Sequence, residues 1–336
     1  MPTLKEIAQA CGVSYGTVSR AFNPNASVKP EVRARILKYA QSVNYTPDLM
    51  AQSLKKRRTG IIGVILPTPQ NSFSEVLFEF NMNLLRSCEI ALKQRGYRLI
   101  VSFASTPEEE LTALQQSSGI HVEGVLLQPI DHSNEAMIRS MQSTTAFIQC
   151  NGPFYSDMDR IYPEDYGGTF TAVNYLLQRG HRRILCICGD VRSRYFAQAL
   201  AERGLTADPL QILSSNADEA EITKRLLEYR PTAVFAVAEE CFPAYSAILS
   251  LGWRVPEQIS FLAYNDATWM RLLGVSAIAH RFDAFGEMIA NRFAYCIEQY
   301  ADSRVFPEAT RSTLDIKLVE RRSVRNLADT AAVYPD

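Results

Sequence analysis

The sequence predicts two folds in one chain: a small all-α head and a larger α/β body of two parallel-sheet subdomains. Three observations carry this. Residues 1–58 hold ten Lys/Arg against three acids, a balance of +7, while the rest of the chain holds 25 against 33, a balance of −8. The first 45 residues carry helix signals at 3.6-residue spacing. From Gly60 onward, short apolar runs alternate with helical stretches. A length of 336 residues allows two or three domains with a well-buried core. A content of 47% hydrophobic and 21% charged residues is that of an ordinary globular protein.

The head opens with Thr3 and Glu6, the T-x-x-E spacing of a capping box, so a helix starts at about Leu4. Leu4, Ile7, Ala8 and Cys11 follow helical spacing, and Gly12 supplies the positive φ that ends the helix. Ser14 is suited to cap a second helix whose inward face is Val13, Val18 and Phe22. Two short helices across a Gly-containing turn form the helix-turn-helix plan. Pro30 opens a third helix with Val32, Ile36, Leu37, Ala40 and Val43 as its buried stripe. The stretch GVSYG at 12–16 also matches the G-x-S-x-G pattern of a nucleophilic serine. That turn must follow a strand and sit beside an oxyanion hole. Here it follows a helix, so Ser14 is read as a cap. Further on, in MAQSLKKRRTG, Ala51 and Leu54 lie at i and i+3 and give a short helix a small apolar face that needs a covering partner. A basic head on an acidic body points to a polyanion as the partner of the head.

In the body, GIIGVIL reads as a strand covered on both faces, followed by a helix over about 74–95 and the strand YRLIVSF. GVLLQP (124–129) and TAFIQC (145–150) are further strands. A helix then runs to Arg179, and Gly180 precedes the strand RRILCIC. After it come a helix to Arg203, a helix over 219–229, the strand TAVFAV, a helix to Leu251 and the strand ISFLAY. Two such series predict two subdomains with a cleft between them.

Several classes lack support. No apolar run approaches the roughly 18 residues of a membrane span, and MPTLKEIAQA has no apolar core of an export signal. The seven cysteines are scattered. Cys186 and Cys188 share one face of a strand, read as buried apolar side chains in a reducing cytoplasm. There is no H-E-x-x-H, C-x-x-C, G-x-G-x-x-G or P-loop pattern, so no metal, cofactor or catalytic constellation is expected. His181, directly after Gly180, is expected to make a structural turn contact.

The run TLKEIAQACGVSYGTVSRAFN, followed by VKPEVRARILKYAQSVNYTPDLMAQSL, resembles the headpiece and hinge of the lactose-repressor (LacI/GalR) family of bacterial transcription regulators. RGHRRI, LGWRVPEQISFLAYND and LVERRS resemble motifs of its body, more thinly. The resemblance implies an all-α helix-turn-helix headpiece plus an α/β, periplasmic-binding-protein-like body of two parallel-sheet subdomains. It divides the chain into a headpiece (1–46), a hinge helix and linker (47–59), a body (60–325) and a tail (326–336). Within the body it expects one subdomain from 60–160 with 281–305 and another from 161–280 with 306–325.

It further implies that the second helix enters the DNA major groove, with Tyr15, Gly16 and Arg20 at base-reading places and Ser14, Thr17, Ser19 and Asn23 near phosphates. The chemistry agrees. Arg20 can give guanine two hydrogen bonds, worth about 1–3 kcal/mol of discrimination, and hydroxyls and amides suit phosphate oxygens. Gly16 departs from the family, which often has a polar side chain there; it cannot read a base edge and costs about 1 kcal/mol against Ala. In the minor groove the paired hinge helices would present Ala51 and the wedge Leu54. Phe73, Arg192 and Asn265 match effector contacts, with Asn265 where Asp is usual. The loop DVRSRYF is short, which makes Arg194 a rival to Arg192, and AEEC replaces a customary Asn-Asp pair.

The expected protein is a cytoplasmic homodimeric repressor on double-stranded, near-palindromic operator DNA, with no membrane association and no enzyme activity. The resemblance implies a small effector, commonly a sugar, a sugar derivative or a nucleobase, and the expectation here is a sugar or, given two arginines in one loop, a phosphorylated sugar. The rival readings are a sugar-binding protein without DNA function and an α/β enzyme with an appended head. The first leaves Arg20 and Leu54 unexplained; the second needs catalytic residues that the sequence does not present.

Overall fold

Local capping signals and tertiary burial agree closely in the amino-terminal unit. The structure, a computed structural model, describes residues 3–22, 26–45, 58–68, 75–214 and 217–327, excepting the side chains of 75–77 and 190. It divides into Met1–Gly60 and Ile61–Asp336.

In the first unit, α1 (Leu4–Ala10), α2 (Tyr15–Ala21) and α3 (Pro30–Ser42) enclose Ile7, Val18 and Ile36, all fully buried. The capping box is formed in both directions: Thr3 N donates to Glu6 Oε2 at 2.7 Å and Glu6 N donates to Thr3 Oγ1 at 3.3 Å. Gly12 ends α1 at φ +62°, and Pro30 stands in the first turn of α3. Leu37 departs from expectation. It is 40% exposed, because it lies about 100° around the helix from Ile36 and the stripe passes through Ile36 and Ala40 instead.

The body has two layered subdomains. The first has β1 (Ile61–Pro67), α4 (Glu75–Gln94), β2 (Arg98–Ala104), α5 (Pro107–Gly119), β3 (Gly124–Leu127), α6 (Glu135–Met141), β4 (Ala146–Gln149) and β5 (Asp159–Pro163). The second has α7 (Asp165–Gln178), β6 (Ile184–Cys188), α8 (Asp190–Ala201), β7 (Ile212–Ser214), α9 (Glu219–Tyr229), β8 (Ala233–Val237) and α10 (Cys241–Ser250). It continues with β9 (Ser260–Tyr264), α11 (Thr268–Leu273) and β10 (Ser276–His280). The chain then returns through α12 (Phe282–Ser303) and β11 (Arg311–Leu314) to the first subdomain and ends in the second with β12 (Ile316–Val319).

The first sheet has the order β11-β5-β4-β3-β1-β2 and the second β12-β10-β9-β8-β6-β7. Every recorded pairing is parallel except β10 with β12, so the second sheet carries one antiparallel edge. Continuous apolar strands such as ILCIC and AVFAV are buried along their whole length, as parallel sheets covered on both faces require. α4 and α12 cover one face of the first sheet, and α5 and α6 the other.

The subdomain boundaries differ from the expected division. Strand β5 extends to Pro163 and β11 belongs to the first sheet, with Asp315 alone separating it from β12 in the second. The crossover is this abrupt because the two strands join different sheets without an intervening turn.

His181 is fully buried, with Nδ1 at 2.9 Å from Thr232 Oγ1 and Nε2 at 3.2 Å from the Arg325 carbonyl. Cys186 and Cys188 are also fully buried, their sulfurs 3.3 Å apart against α7 and α8. Among the described residues no helix is long and apolar enough to cross a membrane, and no set of three His, Cys, Asp or Glu is grouped to hold a metal.

Candidate nucleic-acid interface and ligand cleft

Helix α2 begins where the Ser14 hydroxyl accepts the Thr17 N–H at 3.1 Å, so its first turn is satisfied without a neighbour. Its inner face is Val18 and Ala21. Its outer face carries Ser14, Tyr15, Gly16 and Arg20, all exposed, with Thr17 and Ser19 half-buried. Arg20 Nε donates to the Gly16 carbonyl at 3.2 Å, which directs the guanidinium along the helix, and among the described residues no hydrogen bond engages its two Nη groups. Arg33 donates to the Ala21 carbonyl at 3.1 Å and the Ala26 carbonyl at 2.6 Å, binding the end of α2 to α3. Asn23, Ala51, Leu54 and Phe73 lie outside the described residues.

Two of the sequence-predicted effector residues meet at one cluster in the body. Arg192, on α8, places Nη2 2.9 Å from Asp165 Oδ1 and its guanidinium 5.2 Å from the centre of the Tyr264 ring. Arg194, two residues on, is exposed. Burial is the largest single influence and works against the charge of Arg192, but Asp165, by charge and hydrogen bond, together with Tyr264 and Cys188, outweighs it and holds the pKa above the usual value. Asn265 follows β9 with φ at 81°, and its Oδ1 lies 2.7 Å from His280 Nε2. His280 also meets Tyr264, with ring centres 5.6 Å apart. Burial first, then the positive charge of Arg192, push the His280 pKa down to about 4. The imidazole is therefore neutral at pH 7. With Asn265 Oδ1 as acceptor, its proton sits on Nε2.

The structure adds residues that periodicity did not single out. Phe80 on α4 stands 5.4 Å edge-on to His280 and 5.2 Å from Phe282, and these three line a small cavity with Asn265. The cavity lies between the two subdomains, so its walls come from residues about 200 positions apart. Among the described residues, His280 Nδ1 and Arg192 Nε are buried without a hydrogen-bond partner, polar capacity that a ligand can satisfy.

A helix-turn-helix unit with an exposed capped second helix, in a chain with a two-subdomain α/β body, is the architecture of a DNA-binding transcription regulator. The chain belongs to the lacI family of bacterial regulatory proteins. The family description "Bacterial regulatory proteins, lacI family" matches residues 3–48, and "Periplasmic binding protein-like domain" matches 173–324. The HTH-type transcriptional repressor PurR of Haemophilus influenzae (strain ATCC 51907 / DSM 11121 / KW20 / Rd) is 30% identical over 282 residues, 79% of this chain and 82% of that protein. The repressor of the same name from Mannheimia succiniciproducens is 28% identical over 98% of this chain and 100% of its own length. Among solved structures, the Lac repressor dimer bound to operator and the anti-inducer ONPF superposes with a TM-score of 0.76 at 21% identity, covering 96% of this chain and 99% of that one. The relatives are named as transcriptional repressors, not enzymes.

Proposed function

We propose that this protein is a cytoplasmic repressor that binds a near-palindromic operator as a homodimer and responds to a sugar in the cleft of its body. The observation that carries the reading is the outward face of α2, where Tyr15 is 52% exposed and Arg20 is oriented by the Gly16 carbonyl. Tyr15, Gly16 and Arg20 are assigned to the major groove, and Ser14, Thr17, Ser19 and Asn23 to phosphates. Ala51 and the wedge Leu54 are assigned to the minor groove.

One seven-residue helix presents few side chains, so useful affinity needs two heads on two half-sites. Apolar surface on the body supports pairing. Strand β2 is a sheet edge with Ile100, Val101 and Phe103 each at least 40% exposed, and such an edge calls for a cover. A second copy provides it.

Phe73, Arg192 and Asn265, with Phe80 and His280, are assigned to the effector. Because Asp165 already meets the charge of Arg192, a neutral polyhydroxylated ligand fits better than a sugar phosphate, which would have to displace that carboxylate. Calorimetric titration with sugars and their phosphates tests this; binding of the phosphates alone would reverse the assignment.

The DNA reading is tested by selecting bound sites from a random duplex library at one stated salt concentration. Enrichment of a near-palindrome is expected. Arg20→Ala should relax the preference at one position in each half-site, at a cost of about 1–3 kcal/mol for each lost bidentate contact. Salt-sensitive binding with no enriched sequence would overturn the proposal.

A further inference from the structure

Helix α11 lacks a cap of its own. Its N-cap residue is Ala267, which has no side-chain acceptor, and the free amides at a helix start need one. The acceptor comes from the other subdomain. Glu79 on α4 takes the Thr268 N–H at 3.1 and 3.0 Å through its two oxygens and the Thr268 hydroxyl at 2.7 Å. Arg271 adds a contact to Glu79 at 3.1 Å, but that pair is half exposed and contributes little.

The residues just before Thr268 lead into the cleft. Arg321 grips both oxygens of Asp266 at 2.8 Å, and Asn265 holds His280. Four consecutive residues thus carry an effector-facing contact at one end and a contact with the opposite subdomain at the other.

We propose that Glu79 is a latch that holds the cleft of the body closed. When the subdomains separate, α11 loses its cap, and the turn that positions Asn265 against His280 loosens with it. The latch sets the closed fraction of the ligand-free body, and a ligand shifts that fraction only by binding the two states unequally.

The test is hydrogen exchange of the full chain without ligand, followed at 265–280, in the wild type, Glu79→Gln and Glu79→Ala. A control, Glu287→Ala, removes the Arg95–Glu287 pair (2.6 Å), which lies entirely within the first subdomain. Exchange at 265–280 should rise about tenfold in Glu79→Ala, the effect of losing one charge-assisted cap. It should rise less in Glu79→Gln, whose amide oxygen still accepts, and stay unchanged in Glu287→Ala. Small-angle scattering should show a larger radius for Glu79→Ala. Unchanged exchange at 265–280, a rise confined to α4, or an equal rise in the control would overturn the latch. Operator selection is independent of all of these outcomes.

Discussion

Arg20 and Gly16 act as a pair. The carbonyl of Gly16 receives Arg20 Nε, and no side chain at position 16 competes for that space. A methyl group there would meet only Ser14 Oγ at 3.9 Å, an ordinary contact. Gly16→Ala is therefore expected to raise the stability of the head by about 1 kcal/mol through helix propensity alone. The thermal transition of the head should move upward; a downward shift would show that the position needs glycine for more than space. At this scale the sequence was most legible where a residue acts on near neighbours. Thr3, Ser14 and Pro30 do their work within three or four residues, so spacing revealed them. Asp165 was not legible as the partner of Arg192, nor His280 as the partner of Asn265, because those contacts depend on the sheet bringing separate strand ends together.

Helices α4 and α12 approach so closely that a Cβ on Gly286 would lie 2.4 Å from the backbone of Ser87. Both helices bury large side chains against the same sheet face, including Leu84, Phe285 and Phe293, so neither can retreat freely. Gly286→Ala should cost about 1–3 kcal/mol by overpacking. Denaturant titration of the body should show a lower midpoint with an unchanged slope. The elements found from sequence were those with a strong period or a continuous apolar run. β5, β7, β10, β11 and β12 escaped because they are short strands toward the sheet margins whose residues alternate or stay partly exposed. Phe80 escaped for a related reason: helical periodicity reports which face is apolar, but not that one end of that face reaches a cleft.

For the whole molecule, two histidines connect folding to acidity. Burial is the main cause that pushes His181 and His280 down to about 4, below an ordinary value of 6.5. The unfolded chain binds these protons first, so their contribution is complete above pH 6.5 and is lost as pH falls toward 4. Unfolding free energy of the body should drop across that window with a slope approaching about two protons, and the fully buried His181 alone should account for up to about 3 kcal/mol. Unfolding measured at several pH values checks this; a flat profile from pH 7 to 4.5 would contradict the buried, neutral state of both rings. The division into a basic head and an acidic α/β body was readable from charge and alternation. The exact crossovers were not, since a change of sheet at the single residue Asp315 has no local signature.

All seven cysteines are buried and free, in both units. Burial raises the thiol pKa of Cys150 and Cys296 to about 12, and raises Cys88, Cys186 and Cys241 as well. A thiol reagent therefore meets an unreactive surface and can act only when the structure opens. Cys11 reports on the head and the other six on the body, so their labelling rates time two openings separately. The small head, with its limited core, should yield its sulfur first.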